Sequence, residues 1–198
     1  MIRGNCAAML VGFFALAVAQ IAFAQDAYPS KPIRIMVPYP PGGAADSLPR
    51  LIGERLSANL GQPVIFENRG GAAANLGAEV VFRAEPDGYT LLVAAPHLFT
   101  TNAIIYKLSF DPAQFVPISI IAAYPNVLLS NPKAPFTNLN ELIAYARANP
   151  GRLNYASQGS STSSHLTGEM LKIMAGVNMV HVPYKGSGPA LTDLIGGQ

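Results

Sequence analysis

The chain has 198 residues, of which 50% are hydrophobic and 12% charged, and its formal net charge is +2. A near-neutral chain without a Lys/Arg cluster excludes nucleic acid as a partner, because that recognition calls for a concentrated basic face. A single cysteine, Cys6, excludes a disulfide framework, so stability must come from an ordinary buried core.

The first residues, from Arg3 through the apolar run Ala7–Ala19 to Ala22-Phe23-Ala24, have the layout of a secretory signal peptide over 1–24. The apolar run is shorter than the roughly 20 residues a spanning helix needs. Removing it takes one of the 13 basic residues and none of the 11 acidic ones, leaving a formal charge of +1 and no cysteine. The mature chain is expected to be exported to the periplasm.

Strand-like and helix-like patterns then alternate. Lys31–Tyr39 predicts a buried strand. Leu48, Leu51, Ile52, Leu56 and Leu60 give helical spacing over 46–60, stopped by Gly61. Pro63–Glu67 predicts the next strand, Leu76–Ala84 a helix ended by Pro86-Asp87-Gly88, and Tyr89–Ala95 a third strand. This βαβαβ order is that of a parallel sheet covered by helices. After a less regular stretch around 98–115, Val116–Ala122 and Val127–Ser130 read as strands broken at Tyr124-Pro125-Asn126. Asn138 with Glu141 three positions on marks a helix start, with Leu139, Leu142, Ile143 and Ala146 on one face. Leu153–Ser157 predicts a strand, Ser163–Ala175 a helix with Leu166, Met170, Ile173 and Met174 inward, Met179–Pro183 a strand and Pro189–Ile195 a helix. The break near 122–126 places one domain over 25–122 and a second over 123–198.

Two strand-to-helix loops stand out: Pro38–Asp46, "PYPPGGAAD", and Ser157–His165, "SQGSSTSSH". In open parallel sheets, ligands bind where such loops gather beyond the strand ends. First-turn helix amides are unpaired donors reinforced by the helix dipole, so the natural guest is an anion. In the first loop, prolines 38, 40 and 41 stiffen the strand exit so that Gly42, Gly43 and Ala44 can present their N–H groups. Asp46 is expected to hold loop amides, a bridging water or a ligand ammonium group. In the second, Gln158, Ser160, Ser161, Thr162, Ser163 and Ser164 offer neutral donors that suit a carboxylate which must be released again; helix capping by Thr162 or Ser163 is the plainer alternative.

His165, in the first turn of its helix, is either a ligand donor or a bracing residue, and His97, on the third strand exit, carries the same two readings. His181 lies inside a strand and reads as structural. Tyr184 to Gly188 leave the last strand and are placed to close over the site; Lys185 there reads as a surface charge. Asn75 is expected to cap a helix or reach the cleft. No GxSxG, HExxH, CxxC, P-loop or GxGxxG pattern occurs, and three histidines without neighbouring carboxylates give no metal site. No cofactor is implied, and binding is favoured over catalysis.

The segments YPSKPIRIMVPYPPGGAAD, LGQPVIFENRGGAAANLGAE, PDGYTLLVAA, PNVLLSNP, ANPGRLNYASQGSSTSSHLTGEM and MVHVPYKGSGPALTDLIGGQ resemble, in this order, the substrate-binding proteins of tripartite tricarboxylate transporters, the Bug family. The resemblance implies a periplasmic-binding-protein-like α/β fold, a Venus flytrap of two parallel-type βα domains closing over a small organic carboxylate for membrane permease subunits. It maps the ligand-gripping loops onto Tyr39–Asp46 and Ser157–His165. With the residue-level reading, the candidate site is Tyr39, Pro41, Gly42, Gly43, Ala44, Asp46, His97, Gln158, Ser160, Ser161, Thr162, Ser163, His165 and Tyr184. Departures are Pro49 where alanine is usual, Gly70 where proline is common, and Pro96-His97-Leu98-Phe99 in place of a loop rich in small and hydroxyl residues. The last bears on ligand choice. Family members run on the order of a hundred residues longer, so the chain is expected to be truncated, with an incomplete second domain. A monomeric transport receptor is the leading expectation; a secreted α/β hydrolase using a serine of 160–164, or a ligand-sensing subunit for a signalling partner, are the rivals.

Overall fold

A computed structural model describes residues 27–198; the expected export segment at 1–24 lies outside them. The first half is built on three parallel strands in the order β2-β1-β3: β1 Ile33–Val37, β2 Val64–Asn68 and β3 Thr90–Leu92. Ile35 pairs with Phe66 on one side and Leu91 on the other. As the central strand, β1 is the most buried, with Ile33, Met36 and Val37 almost wholly enclosed; each such side chain contributes about 1.5–3 kcal/mol. The crossovers carry α1 (Ala44–Leu60) and α2 (Asn75–Phe82), and β3 is followed by a 3₁₀ turn at Pro96–Leu98 and the short α3 (Thr101–Ile105). Ala78, Leu98 and Phe110 form the core beneath α2.

The second half holds α4 (Leu139–Ala148), β4 (Asn154–Ser157), α5 (Ser163–Ala175), β5 (Val180–Pro183) and α6 (Ser187–Gly196). β4 and β5 pair in parallel, Tyr155 opposite His181. Its core gathers Phe136, Leu142, Ala146, Ala175, Val177 and Met179. Asn138 caps α4 by accepting the Glu141 amide at 3.0 Å. The Glu141 carboxylate reaches one residue further back than a capping box requires, to the amide and hydroxyl of Thr137.

Three expectations are corrected. Residues 116–122 and 127–130 are not strands: they run without secondary structure and largely in solvent, Ile118 being 77% exposed. Their β-branched composition suits a ladder, but no partner strand lies beside them among the described residues. The face of α1 is not its leucine stripe: Leu51 is 72% exposed, whereas Asp46, Pro49 and Gly53 are buried. Gly53 explains the rotation, because a Cβ there would sit 2.4 Å from the Phe66 ring; the absent side chain admits that ring. On α5, Leu166, Met170, Ile173 and Met174 face outward, Ile173 at 79% exposure, because the two-stranded sheet covers only the Ala175 side.

Candidate functional site

The first loop leaves β1 at Val37 and enters α1 at Ala44. Asp46, 5% exposed, organises it. Its carboxylate accepts from the Gly42 amide at 3.0 Å, from Arg50 Nε at 2.9 Å and from Asn68 Nδ2 at 2.8 Å. Burial pushes the carboxyl up, but the bonds from Arg50, Asn68 and Gly42 together outweigh it and hold Asp46 below the usual carboxylate range. Of the three roles open to Asp46, the geometry is that of holding a loop amide. The Gly42 amide is thereby committed to the protein, a correction to its expected presentation to a ligand. Gly43 and Ala44, at the mouth of α1, keep the unpaired amides of a helix start. Asn68 also donates to the Tyr39 carbonyl at 3.0 Å, tying β2's exit to β1's.

The exits of β2 and β3 meet beside this loop. Ala72, Ala73 and Ala74 all have positive φ, at 47°, 54° and 75°. Left-handed non-glycine residues cost on the order of 1–3 kcal/mol each and persist only where the surroundings fix them. Here Asn102, wholly buried, donates to the Ala73 carbonyl at 2.8 Å and to Asn75 Oδ1 at 2.7 Å. Asn75 therefore neither caps α2, whose N-cap is Ala74, nor points free; it braces this turn. Tyr39 accepts the Ala95 amide on its hydroxyl at 3.3 Å, and its ring meets His97 edge-on at 6.2 Å. Burial pushes the Tyr39 hydroxyl up to about 12, so it stays protonated at neutral pH.

The second loop turns its polar groups largely on itself. Thr162 Oγ1 donates to the Gly159 carbonyl at 2.6 Å, and Ser164 Oγ accepts the Gln158 amide at 3.1 Å. Ser163 Oγ lies 3.4 Å from Asn126 Oδ1. Thr162 is the N-cap of α5 but makes no side-chain cap bond, so capping does not explain these hydroxyls. Ser161, with φ of 65°, donates from Oγ to Asn102 Oδ1 at 2.5 Å, and its amide goes to His165 Nδ1 at 3.1 Å. His165 is thus a loop brace with Nε2 left as its donor. It stacks on His181 at 4.0 Å, which stacks on Tyr155 at 4.9 Å and bonds to Ser157 Oγ at 2.7 Å, bearing out a structural role for His181. Burial, then the His165 ring, keep His181 below the usual histidine range. Ser157 is itself buried, and among the described residues no hydroxyl of 160–164 bonds to a histidine.

The segment after β5 joins the two loops. Tyr184 donates its amide to the Ser157 carbonyl at 3.0 Å and its hydroxyl to Asp193 at 2.8 Å. Beyond it, a Cβ on Gly43 would lie 2.7 Å from Ser187 Oγ, and one on Gly186 would lie 3.2 Å from Pro40 Cδ. The starts of α1 and α6 therefore touch, with the start of α5 tied to the β3 exit through Ser161 and Asn102. Exposed Pro41, Gly42 and Ala44, half-exposed Gln158 and Ser160, and buried His97 surround this meeting of strand exits. Sequence reasoning missed Arg50 and Asn102. Asn102 carries no sequence signal beyond an amide beside apolar Ala103-Ile104-Ile105.

Residues 48–198 match the tripartite tricarboxylate transporter family receptor, TctC. BugT of Bordetella pertussis is 38% identical over 196 residues, spanning 95% of this chain, which covers 59% of BugT. Among solved structures, Rpa4515 of R. palustris with adipate superposes at a TM-score of 0.83 with 39% identity, over 86% of this chain and 57% of that one. MatC of Rhodopseudomonas palustris with bound malate gives a TM-score of 0.79 and 33% identity, over 86% and 59%. The chain thus spans less than two thirds of the length of these relatives. Family and fold are those of periplasmic binding proteins rather than enzymes. On a family match covering most of its length and a shared fold with its solved members, the chain belongs to the TctC receptors, the Bug proteins among them, of tripartite tricarboxylate transporters.

Proposed function

We propose that the protein is a monomeric periplasmic receptor, exported by the segment at 1–24, that captures a small organic carboxylate and delivers it to membrane permease subunits. Its ligand is held between Tyr39–Asp46 and Ser157–His165, with the lobes 25–122 and 123–198 hinged near 122–126. The observation that carries this reading is the contact of the α1 and α6 starts at Gly43 and Ser187, beside the α5 loop. Clustered helix starts gather unpaired amides and positive dipole ends around one point, where a carboxylate is stabilised. Adipate and malate in two related structures support the ligand class.

Thermal denaturation with succinate, malate and adipate tests it. At a hundredfold excess over Kd a ligand adds about 2.7 kcal/mol, and for a chain of this size that raises Tm by about 5–10 °C. A Tm unmoved by any of the three would contradict the proposal.

A further inference from the structure

Ser161 ties the second loop to the first half of the chain. It is wholly buried, and its hydroxyl donates at 2.5 Å to Oδ1 of Asn102, itself wholly buried on α3. Asn102 in turn braces the left-handed turn at 72–74 through Ala73 and Asn75. Ser161 makes this reach from a φ of 65°, a conformation that a serine keeps only where its surroundings fix it. Its amide is fixed by donation to Nδ1 of His165 at 3.1 Å. An imidazole nitrogen accepts only while it carries no proton. Protonating His165 sets an Nδ1–H against the Ser161 N–H, donor against donor, and removes the support of the strained residue.

The His165 ring stacks at 4.0 Å on His181 of β5, which stacks in turn on Tyr155 of β4. Two imidazoles this close do not both take a proton. His181, with Nε2 on Ser157 Oγ, is kept below the usual histidine range by burial and by its neighbour, so His165 is the one that charges. On α5 itself, Glu169 lies one turn on and favours the charged ring, with its carboxylate already engaged by Lys172 at 2.8 Å and by the Tyr155 hydroxyl at 2.6 Å. The positive end of α5 opposes that charge. The first half meets the loop through the uncharged Asn102 side chain.

We propose that the Ser161–Asn102 bond is a latch between the two halves, supported by neutral His165 and released when that histidine takes a proton, so that acid unloads the receptor. The loss of ligand rests on the receptor reading above; the latch itself does not. A ligand gripped by both loops binds the latched form better than the open one, and proton uptake that favours the open form weakens binding by the same coupling.

Isothermal titration with malate, succinate and adipate at about pH 8 and about pH 5.5 tests this, across the range in which histidine charges. The tightest of the three is expected to bind at least about fivefold more weakly at the lower pH. In His165→Asn, an amide oxygen takes the place of Nδ1, accepts from the Ser161 amide and does not titrate. The ratio between the two pH values is there expected to fall to about twofold or less. The variant shares whatever the ligand's own protonation contributes. No weakening in the unaltered protein, or the same weakening in both, would overturn the proposal. Should His165→Asn not fold, or none of the three bind, the free, unaltered chain decides by NMR. The Ser161 amide and the Asn102 side-chain amide are expected to shift along the same pH curve as the His165 ring protons. A His165 ring that takes up no proton in that range, or a Ser161 amide that stays put while it does, overturns the latch alone. No binding of any of the three at either pH overturns the receptor reading and leaves the latch to that measurement.

Discussion

Replacing Asp46 by alanine removes the anchor of the first loop. Three donors converge on its carboxylate at 2.8–3.0 Å. A hydrogen bond to a charged group is worth about 1.5–3 kcal/mol. Arg50 is 41% exposed, so its share falls to about 1 kcal/mol or less. The exposed Gly42 amide turns to water, and the part-buried Asn68 amide loses its charged acceptor while keeping the Tyr39 carbonyl. The sum is about 3 kcal/mol, which for a chain of this size lowers Tm by about 6–12 °C. Circular dichroism melts at neutral pH measure it. The sign with pH is fixed: Asp46 sits below its unfolded value of about 3.9, so its contribution is present above that pH and lost as pH falls through the lower folded value. The gap between the natural protein and Asp46→Asn should therefore shrink in acid. An Asp46→Ala Tm within about 1 °C of the unaltered protein would refute the reasoning.

Gly43→Val would drive a side chain into Ser187 Oγ, part the starts of α1 and α6, and abolish the carboxylate-induced Tm shift; an unchanged shift removes that loop from the site. Ser161→Ala strands the buried Asn102 Oδ1 and should cost about 1–3 kcal/mol by urea denaturation, against nothing measurable if the bond is incidental. Gly53→Ala overpacks the Phe66 ring and should cost about 1–3 kcal/mol, with Tm the readout. His97 and His181 both lie below the usual histidine range through burial, so stability is full above the unfolded value of about 6.5 and falls as pH drops through their lower folded values. A Tm flat between about pH 7 and 5 contradicts that.

The βα alternation was legible because strand and helix periods differ: Ser163–Ala175 is a helix over the expected bounds, and Asn138 caps where its spacing to Glu141 says it should. Helix faces were less legible. Gly53 and Pro49, poor signals of burial, turn inward because the opposing ring fills the space, and leucines stay outside. Residues 116–130 misled because β-branched composition reports fitness for a ladder and not the presence of a partner. At the candidate site, glycines and hydroxyls marked two loops that the fold brings to the same meeting of strand exits. Which donors remain available depended on Asp46 and Asn102, whose partners lie 4–59 positions away in sequence and leave no local pattern.

The central claim is that the turns at 42–44 and 160–163 serve one anion. Titrating ¹⁵N-labelled protein with malate and following its amide resonances tests it most directly. Gly43, Ala44 and residues 160–163 should shift together along one saturation curve. Shifts confined to one of the two turns, or to neither, would contradict it.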